Sequence, residues 1–280
     1  MKASLVRRMI TTAIGVPVVM AAVFGLPSDV VFAIFLVAFA WAAFEFIQIS
    51  RTYAPTAPLW GALPLILLAS GAGFSALRQG FTGQPLALWL VALGGTVTIL
   101  ASCGVVLSKV EVRDGLTAVG IVAFAIPYFA LPPIAFYQLH HLDPWLVVLM
   151  FAMVWLGDTA AFFIGGWIGK RKLAPITSPN KTWEGSVAGL LTAVVASAVW
   201  SQLRLGEVLP GLLLLAALVS VTAQLGDLVE SMIKRGAGVK DSSQVLPGHG
   251  GFFDRLDALL LSTPLFVTGL WWMGFERLVP

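Results

Sequence analysis

Apolar runs of about twenty residues, each long enough to cross ~30 Å of hydrocarbon as an α-helix, recur along nearly the whole chain. The pattern predicts nine membrane helices, over 9–26, 29–49, 58–77, 86–107, 116–137, 144–164, 187–205, 208–232 and 256–274. The first run follows Lys2, Arg7 and Arg8, as in a signal peptide. It ends in Phe24-Gly25-Leu26-Pro27 with no convincing small-residue cleavage site, so it reads as a retained span. Pro127, Pro132 and Pro133 predict that the fifth helix bends or ends, which a membrane tolerates where neighbours satisfy the freed carbonyls. The expected fold is all-α, a polytopic transmembrane helical bundle. Its parts are an N-terminal region, 1–140, of about five spans and a C-terminal catalytic region, 141–280, with loops at 170–186 and 233–256.

Composition agrees with the bilayer as solvent: 58% of residues are hydrophobic and 11% charged, against roughly 25% charged in soluble domains, and mean hydropathy is +0.91. The single cysteine, Cys103, excludes an intramolecular disulfide and reads as a small buried hydrophobe. With the N-terminus in the cytoplasm, fourteen of the 17 Lys and Arg residues fall on one side, leaving Arg78, Arg204 and Arg277 on the other. The excess of cytoplasmic cations predicts N-terminus in and C-terminus out. Cations sorted by membrane side in this way are no footprint for nucleic acid.

Two cytoplasmic segments carry more than topology requires: 170–185 (KRKLAPITSPNKTWEG) and 234–255 (KRGAGVKDSSQVLPGHGGFFDR). The helices at 187–205 and 208–232 form a hairpin that returns both segments to one face. Ionisable residues within spans mark cavities or ligand sites by default. Asp158 is one, read against a buried acid neutralised by a proton or a lysine. Asp227, Glu230, Ser231 and Lys234 follow helical spacing along one face, and Asp254 and Asp257 are three apart at the start of the last span. Asp227, Asp254 and Asp257 could together offer the hard oxygens Mg²⁺ requires, whereas helix capping is the plainer role for Asp254 or Asp257 taken alone. Between these helix ends, Pro247-Gly248-His249-Gly250-Gly251 reads as a phosphate cradle, its glycines admitting close approach of backbone N–H groups to an anion. Lys234, Arg235, Lys240 and Arg255 surround it. The segment Ser178-Pro179-Asn180-Lys181-Thr182-Trp183-Glu184 suits a nucleotide, or alternatively an interfacial loop anchored by Trp183. His140 and His141 fall on the outer side, and Gly165 and Gly169 are read as a close helix packing site.

The run from Ser231 to Asp257, with S-x-x-K-R, K-D, P-G-H-G-G and D-R-x-D in register, resembles the signature of the phosphatidate cytidylyltransferase family. Asp158-Thr159-Ala160-Ala161-Phe162-Phe163, Gly169-Lys170-Arg171-Lys172-Leu173-Ala174-Pro175 and Ser178–Gly185 resemble its other recurrent segments, with Ala160 where many relatives have glycine. The resemblance covers about 157–257; the first 140 residues share only hydrophobic helices. It implies transfer of CMP from CTP to phosphatidate with Mg²⁺ assistance, a second cation being left open, in a homodimer of the bacterial inner membrane whose active site faces the cytoplasm. The metal ligands so implied are Asp227, Asp254 and Asp257. Lys170, Ser178, Lys181, Lys234, Arg235, Lys240 and His249 would position phosphates, with Gly250, Gly251, Arg255 and Arg171 beside them. Asp158, Thr182, Glu184 and Asp241 are supporting candidates. A CTP-dependent membrane lipid kinase and a secondary transporter are the competing readings; the latter is disfavoured because no inverted halves are evident.

Overall fold

The computed structural model describes residues 15–80, 110–246, 248 and 250–275, with isolated positions between 95 and 108. Helix α1 is described over Gly15–Gly25. Pro27, in an extended conformation, halts the chain before α2 (Ser28–Ser50), whose Asp29 sits in the first turn where the helix dipole favours an acid. A 3₁₀ turn, Leu59–Gly61, leads into α3 (Ala62–Arg78). There follow α4 (Val112–Leu142), α5 (Pro144–Ile168), the strands β1 (Lys172–Ala174) and β2 (Ser178–Thr182), α6 (Trp183–Leu205), α7 (Pro210–Gly236) and α8 (Phe253–Trp272).

Six helical segments among the described residues are long and apolar enough to cross a bilayer: Ser28–Ser50, Leu59–Arg78, Val112–Leu142, Pro144–Ile168, Trp183–Leu205 and Pro210–Gly236. The protein is therefore an α-helical integral membrane protein that crosses the bilayer several times. The expected span at 86–107 lies largely outside the described residues, as does the first half of 9–26. Helix α8 carries Asp254, Arg255 and Asp257 in its first turns and is not among the six.

Of the two outcomes expected for the fifth span, bending or ending, ending does not occur. Rather than ending at its prolines, α4 runs unbroken through Pro127, Pro132 and Pro133 for 31 residues. Ser70 of α3, fully buried, has its Oγ 2.9 Å from Ile66 O in its own helix and 3.3 Å from Ala130 O of α4.

Backbone contacts gather the chain into two units that interleave in sequence: Met1–Gln138 with Ile233–Leu256, and Leu139–Met232 with Asp257–Pro280. In the first, aromatic rings fill the spaces between helices. Phe35 stacks on Phe136 at 3.9 Å and Phe32 on Phe74 at 4.3 Å between centroids, while Phe253 packs on both Phe46 and Phe129. Within hydrocarbon such fitted contact, more than exclusion from water, holds helices together. Asp114, buried at the start of α4, accepts from Thr56 Oγ1 at 2.9 Å. Tyr53 Oη donates to Ile233 O at 2.7 Å, and desolvation raises its pKa above the ordinary tyrosine value, so the hydroxyl stays a donor.

In the second unit, α5 and α6 meet along a seam of small residues. A Cβ added at Gly189 would lie 2.9 Å from Gly157 O, and one at Gly185 would lie 2.6 Å from Ala161 O. Gly165 belongs to the same seam, as its place in the sequence suggests: a Cβ there would reach 2.8 Å from Thr182 Oγ1. At the other end of the helix pair, Arg204 bonds Asp143 at 3.0 Å and Trp200 Nε1 donates to Trp145 O at 3.1 Å. Gly206, at φ 77°, closes α6 in the left-handed region open to glycine.

Candidate active site

The segment expected as a cytoplasmic loop at 170–186 contains a β-hairpin followed by the first turn of α6. Strands β1 and β2 are antiparallel, pairing Lys172 with Thr182 and Ala174 with Ser178. Pro175 and the Ser178-Pro179-Asn180 turn formers hide this from a reading by propensity. Thr182 ends the hairpin and begins α6 as its N-cap, its Oγ1 accepting from Gly185 N at 3.2 Å. Glu184 closes the base, accepting from Arg171 N at 3.3 Å on each carboxylate oxygen. Lys170, Arg171 and Lys172 line the hairpin's first arm, and Ile176 stands 93% exposed between the strands. The fold thus uses Thr182 and Glu184 to fix the direction in which β2 presents Lys181.

Lys181 Nζ reaches Asp227 Oδ2 on α7 at 2.6 Å. On the same unit, Asp227, Glu230 and Asp257 each offer a carboxylate oxygen, and these atoms lie within 4.8 Å of one another. Two of the acids are one helical turn apart on α7; the third comes from α8. Gly226 makes the approach possible, because a Cβ there would run into the carbonyl oxygen of Asp257. Ser231 Oγ donates to Asp227 Oδ1 at 3.3 Å. Asp158 of α5 feels the charges of Asp227 and Lys181, and Asp257 those of all three. One turn before Asp227, Gln224 bonds Ser186 and donates to Ser220 Oγ at 3.3 Å, supporting the polar face of α7 from within the span.

Carboxylates gathered this closely in a low-dielectric setting repel strongly unless a cation or a proton intervenes. Lys181 offsets one negative charge. The remaining donors are all hard oxygens with no imidazole or thiolate among them, a set that fits Mg²⁺ or another hard cation and not zinc.

Asp254 has different company. In the first unit its Oδ1 is ion-paired with Lys234, both side chains being 10% exposed or less. Its Oδ2 accepts from Ser242 N, Ser242 Oγ and Gly251 N, each at 2.8 Å. The three acids expected as metal ligands are therefore differently employed: Asp227 and Asp257 are grouped with Glu230, while the oxygens of Asp254 are taken up by a lysine and the glycine loop. Gly250, at φ 79°, is where that loop turns, and a Cβ would come within 2.5 Å of Asp254 Oδ2. A short bridge, Leu246 N to Gly250 O at 2.9 Å, ties the turn. Arg235 Nη1 donates to Val239 O at 3.2 Å, spending one donor on the chain itself. Lys240, Asp241 and Arg255 are exposed. His249 lies outside the described residues.

Glu45 is the residue that motif reading misses. It lies on α2, 1% exposed, and accepts from Ser242 Oγ at 2.7 Å, Ser243 Oγ at 2.6 Å and Phe253 N at 2.9 Å. The signal that could have found it is a lone acid within an apolar span, Ala42-Ala43-Phe44-Glu45-Phe46-Ile47.

The fold defines a polytopic helical membrane protein, one unit of which carries a carboxylate trio beside a lysine-bearing hairpin, a donor set suited to phosphate chemistry next to a hard cation. The sequence model of the cytidylyltransferase family matches residues 6–273, and the chain belongs to that family. It is 34% identical over 233 residues to the phosphatidate cytidylyltransferase of Bacillus subtilis strain 168, a match covering 80% of this chain and 82% of that protein. To the protein of the same name from Haemophilus influenzae it is 44% identical over 126 residues, 43% of this chain. With the Pseudomonas aeruginosa one it shares 43% over 132 residues, 46% of this chain. In these last two matches the chain spans only 44% and 49% of the relative's length.

Proposed function

We propose that the protein is a phosphatidate cytidylyltransferase, which joins phosphatidate to the CMP moiety of CTP to give CDP-diacylglycerol and pyrophosphate. The observation that carries this reading is the trio Asp227, Glu230 and Asp257 with Lys181 on Asp227, in a member of the cytidylyltransferase family. A phosphatidate phosphate oxygen attacks the α-phosphorus of CTP, a new P–O bond forms, and the bond to the β-phosphate oxygen breaks. The attacking oxygen already bears charge, so no general base is required. The chain's task is alignment and stabilisation of negative charge as it spreads.

Asp227, Glu230 and Asp257 are the residues that would hold Mg²⁺. Such an ion supplies charge neutralisation at the reacting phosphates. Lys181, presented by β2, can shift from Asp227 to a phosphate when substrate arrives, and Lys170 and Arg171 extend the basic surface of the hairpin. Lys240 and Arg255, exposed beside the acid-anchored glycine turn, are further candidates for phosphate oxygens, and His249 is one from its place in the sequence. Nine spans, an inward N-terminus, an outward C-terminus and a cytoplasm-facing site in a bacterial inner membrane complete the proposal, supported by the sorting of basic residues. Assembly as a homodimer is inferred from the family resemblance.

Purified protein is incubated with phosphatidate, Mg²⁺ and CTP labelled at the α-phosphorus, and the lipids are extracted. Label in the organic phase with release of pyrophosphate is expected. Label left in aqueous CDP, with phosphorylated lipid formed in a parallel reaction in which diacylglycerol replaces phosphatidate, would replace this reading with a CTP-dependent lipid kinase.

A further inference from the structure

A buried carboxylate in a membrane helix is costly unless every oxygen is satisfied. Glu45 is satisfied by one stretch of chain: Ser242 Oγ and Phe253 N donate to Oε2 at 2.7 and 2.9 Å, and Ser243 Oγ donates to Oε1 at 2.6 Å. These donors bracket the glycine turn from both sides. Gly251 lies against the carboxylate so closely that a Cβ would overlap both of its oxygens. The arrangement reaches Asp254 as well, because Ser242 Oγ stands 2.7 Å from Glu45 Oε2 and 2.8 Å from Asp254 Oδ2. A hydroxyl has one proton to donate, so the two acids compete for it, and Asp254 in turn orders Ser242 N, Gly251 N and Lys234.

We infer that Glu45 is a positioning residue: a membrane-helix carboxylate that holds Ser242, Ser243 and Phe253, on either side of the glycine turn, in the conformation in which the flanking cations Lys240 and Arg255 receive a substrate phosphate. The inference rests on the activity proposed above. It assigns a task in that reaction to α2, in a region whose sequence shows only hydrophobic helices. A phosphate on the nucleotide and one on the lipid present the same chemistry to this loop, and kinetics separates them.

The test uses the full chain in detergent, as wild type, Glu45→Gln, Glu45→Ala and Ser243→Ala. KM for CTP and for phosphatidate are measured separately from kcat, with amide hydrogen exchange on the same samples. Gln keeps an oxygen for Ser242 Oγ and Phe253 N–H and can donate to Ser243 Oγ, so E45Q stays within about threefold of wild-type kcat/KM. E45A loses about tenfold or more, in the range of lost supporting hydrogen bonds around a charged site. The loss appears as a raised KM for the substrate whose phosphate the loop holds, and S243A lies between. Exchange in E45A accelerates across 241–253 and not along the α5–α6 pair.

Unchanged KM values in folded E45A overturn the inference, as does a loss of activity that only tracks the folded fraction or that E45Q fails to recover. Absence of cytidylyl transfer by the wild type would refute the proposed activity instead. The exchange experiment then decides for Glu45: acceleration confined to 241–253 in E45A and reversed in E45Q sustains its anchoring role, and unaltered exchange ends it.

Discussion

Asp254 and Glu230 keep different company, and the difference can be measured. The D-R-x-D spacing groups Asp254 with Asp257, since residues three apart share a helix face. In side-chain contacts, Lys234 and the N–H groups of Ser242 and Gly251 surround Asp254, while Glu230 stands with Asp227 and Asp257. Glu230→Gln is therefore expected to raise the Mg²⁺ concentration needed for half-maximal activity. Asp254→Asn should cost activity without moving that concentration, and Mg²⁺ titrations of both purified variants check this. Asp227→Asn and Asp257→Asn each should lower kcat by about 100-fold or more, the scale of a lost metal ligand, with the helical circular dichroism spectrum retained. At this scale the sequence made Asp227, Asp257 and Lys181 legible through charge and spacing. Glu45 stayed hidden because its partners are about 200 positions away in the chain, and no local pattern encodes such a contact.

Elements were easier to read, for a physical reason: a bilayer imposes one length and one composition on whatever crosses it. The expected helices at 29–49, 144–164 and 187–205 coincide with α2, α5 and α6 to within a few residues at most ends. The reading stops short where local propensity and surroundings disagree, as at the proline-rich hairpin. The seam of α5 and α6 carries a stability prediction. Gly189→Leu inserts a side chain where even a Cβ sits 2.9 Å from Gly157 O, and overpacking of this kind costs about 1–3 kcal/mol. A lowered unfolding midpoint in detergent is the expected result. Thr182→Val removes the α6 N-cap acceptor, worth about 1 kcal/mol, and loosens the hairpin that aims Lys181, so a higher KM should accompany the lower midpoint.

For the whole molecule, membrane sidedness is the property most directly open to experiment. Helix α6 separates the hairpin from the 206–209 turn by 23 residues, about 34 Å of helix, so the two ends emerge on opposite faces. With Cys103 replaced, a cysteine introduced at Ile176 should react with an impermeant thiol reagent only in inverted vesicles or broken cells. One at Glu207 should react in intact cells. The reverse pattern would invert the proposed topology. This arrangement is what charge sorting predicts; the grouping into two units has no such signal in the sequence, since it depends on contacts between residues remote in the chain.

That grouping has an evolutionary consequence. The stretch 233–256 keeps company with the N-terminal helices, and its serines answer to an acid at position 45. A crossover near residue 140 between diverged homologues would look harmless on a linear map, yet it would hand the glycine loop to a stranger's α2. Hybrid genes joined there should complement a deficient strain poorly unless the donor supplies a carboxylate at the place of Glu45, so the two halves of this gene are expected to travel through lineages together.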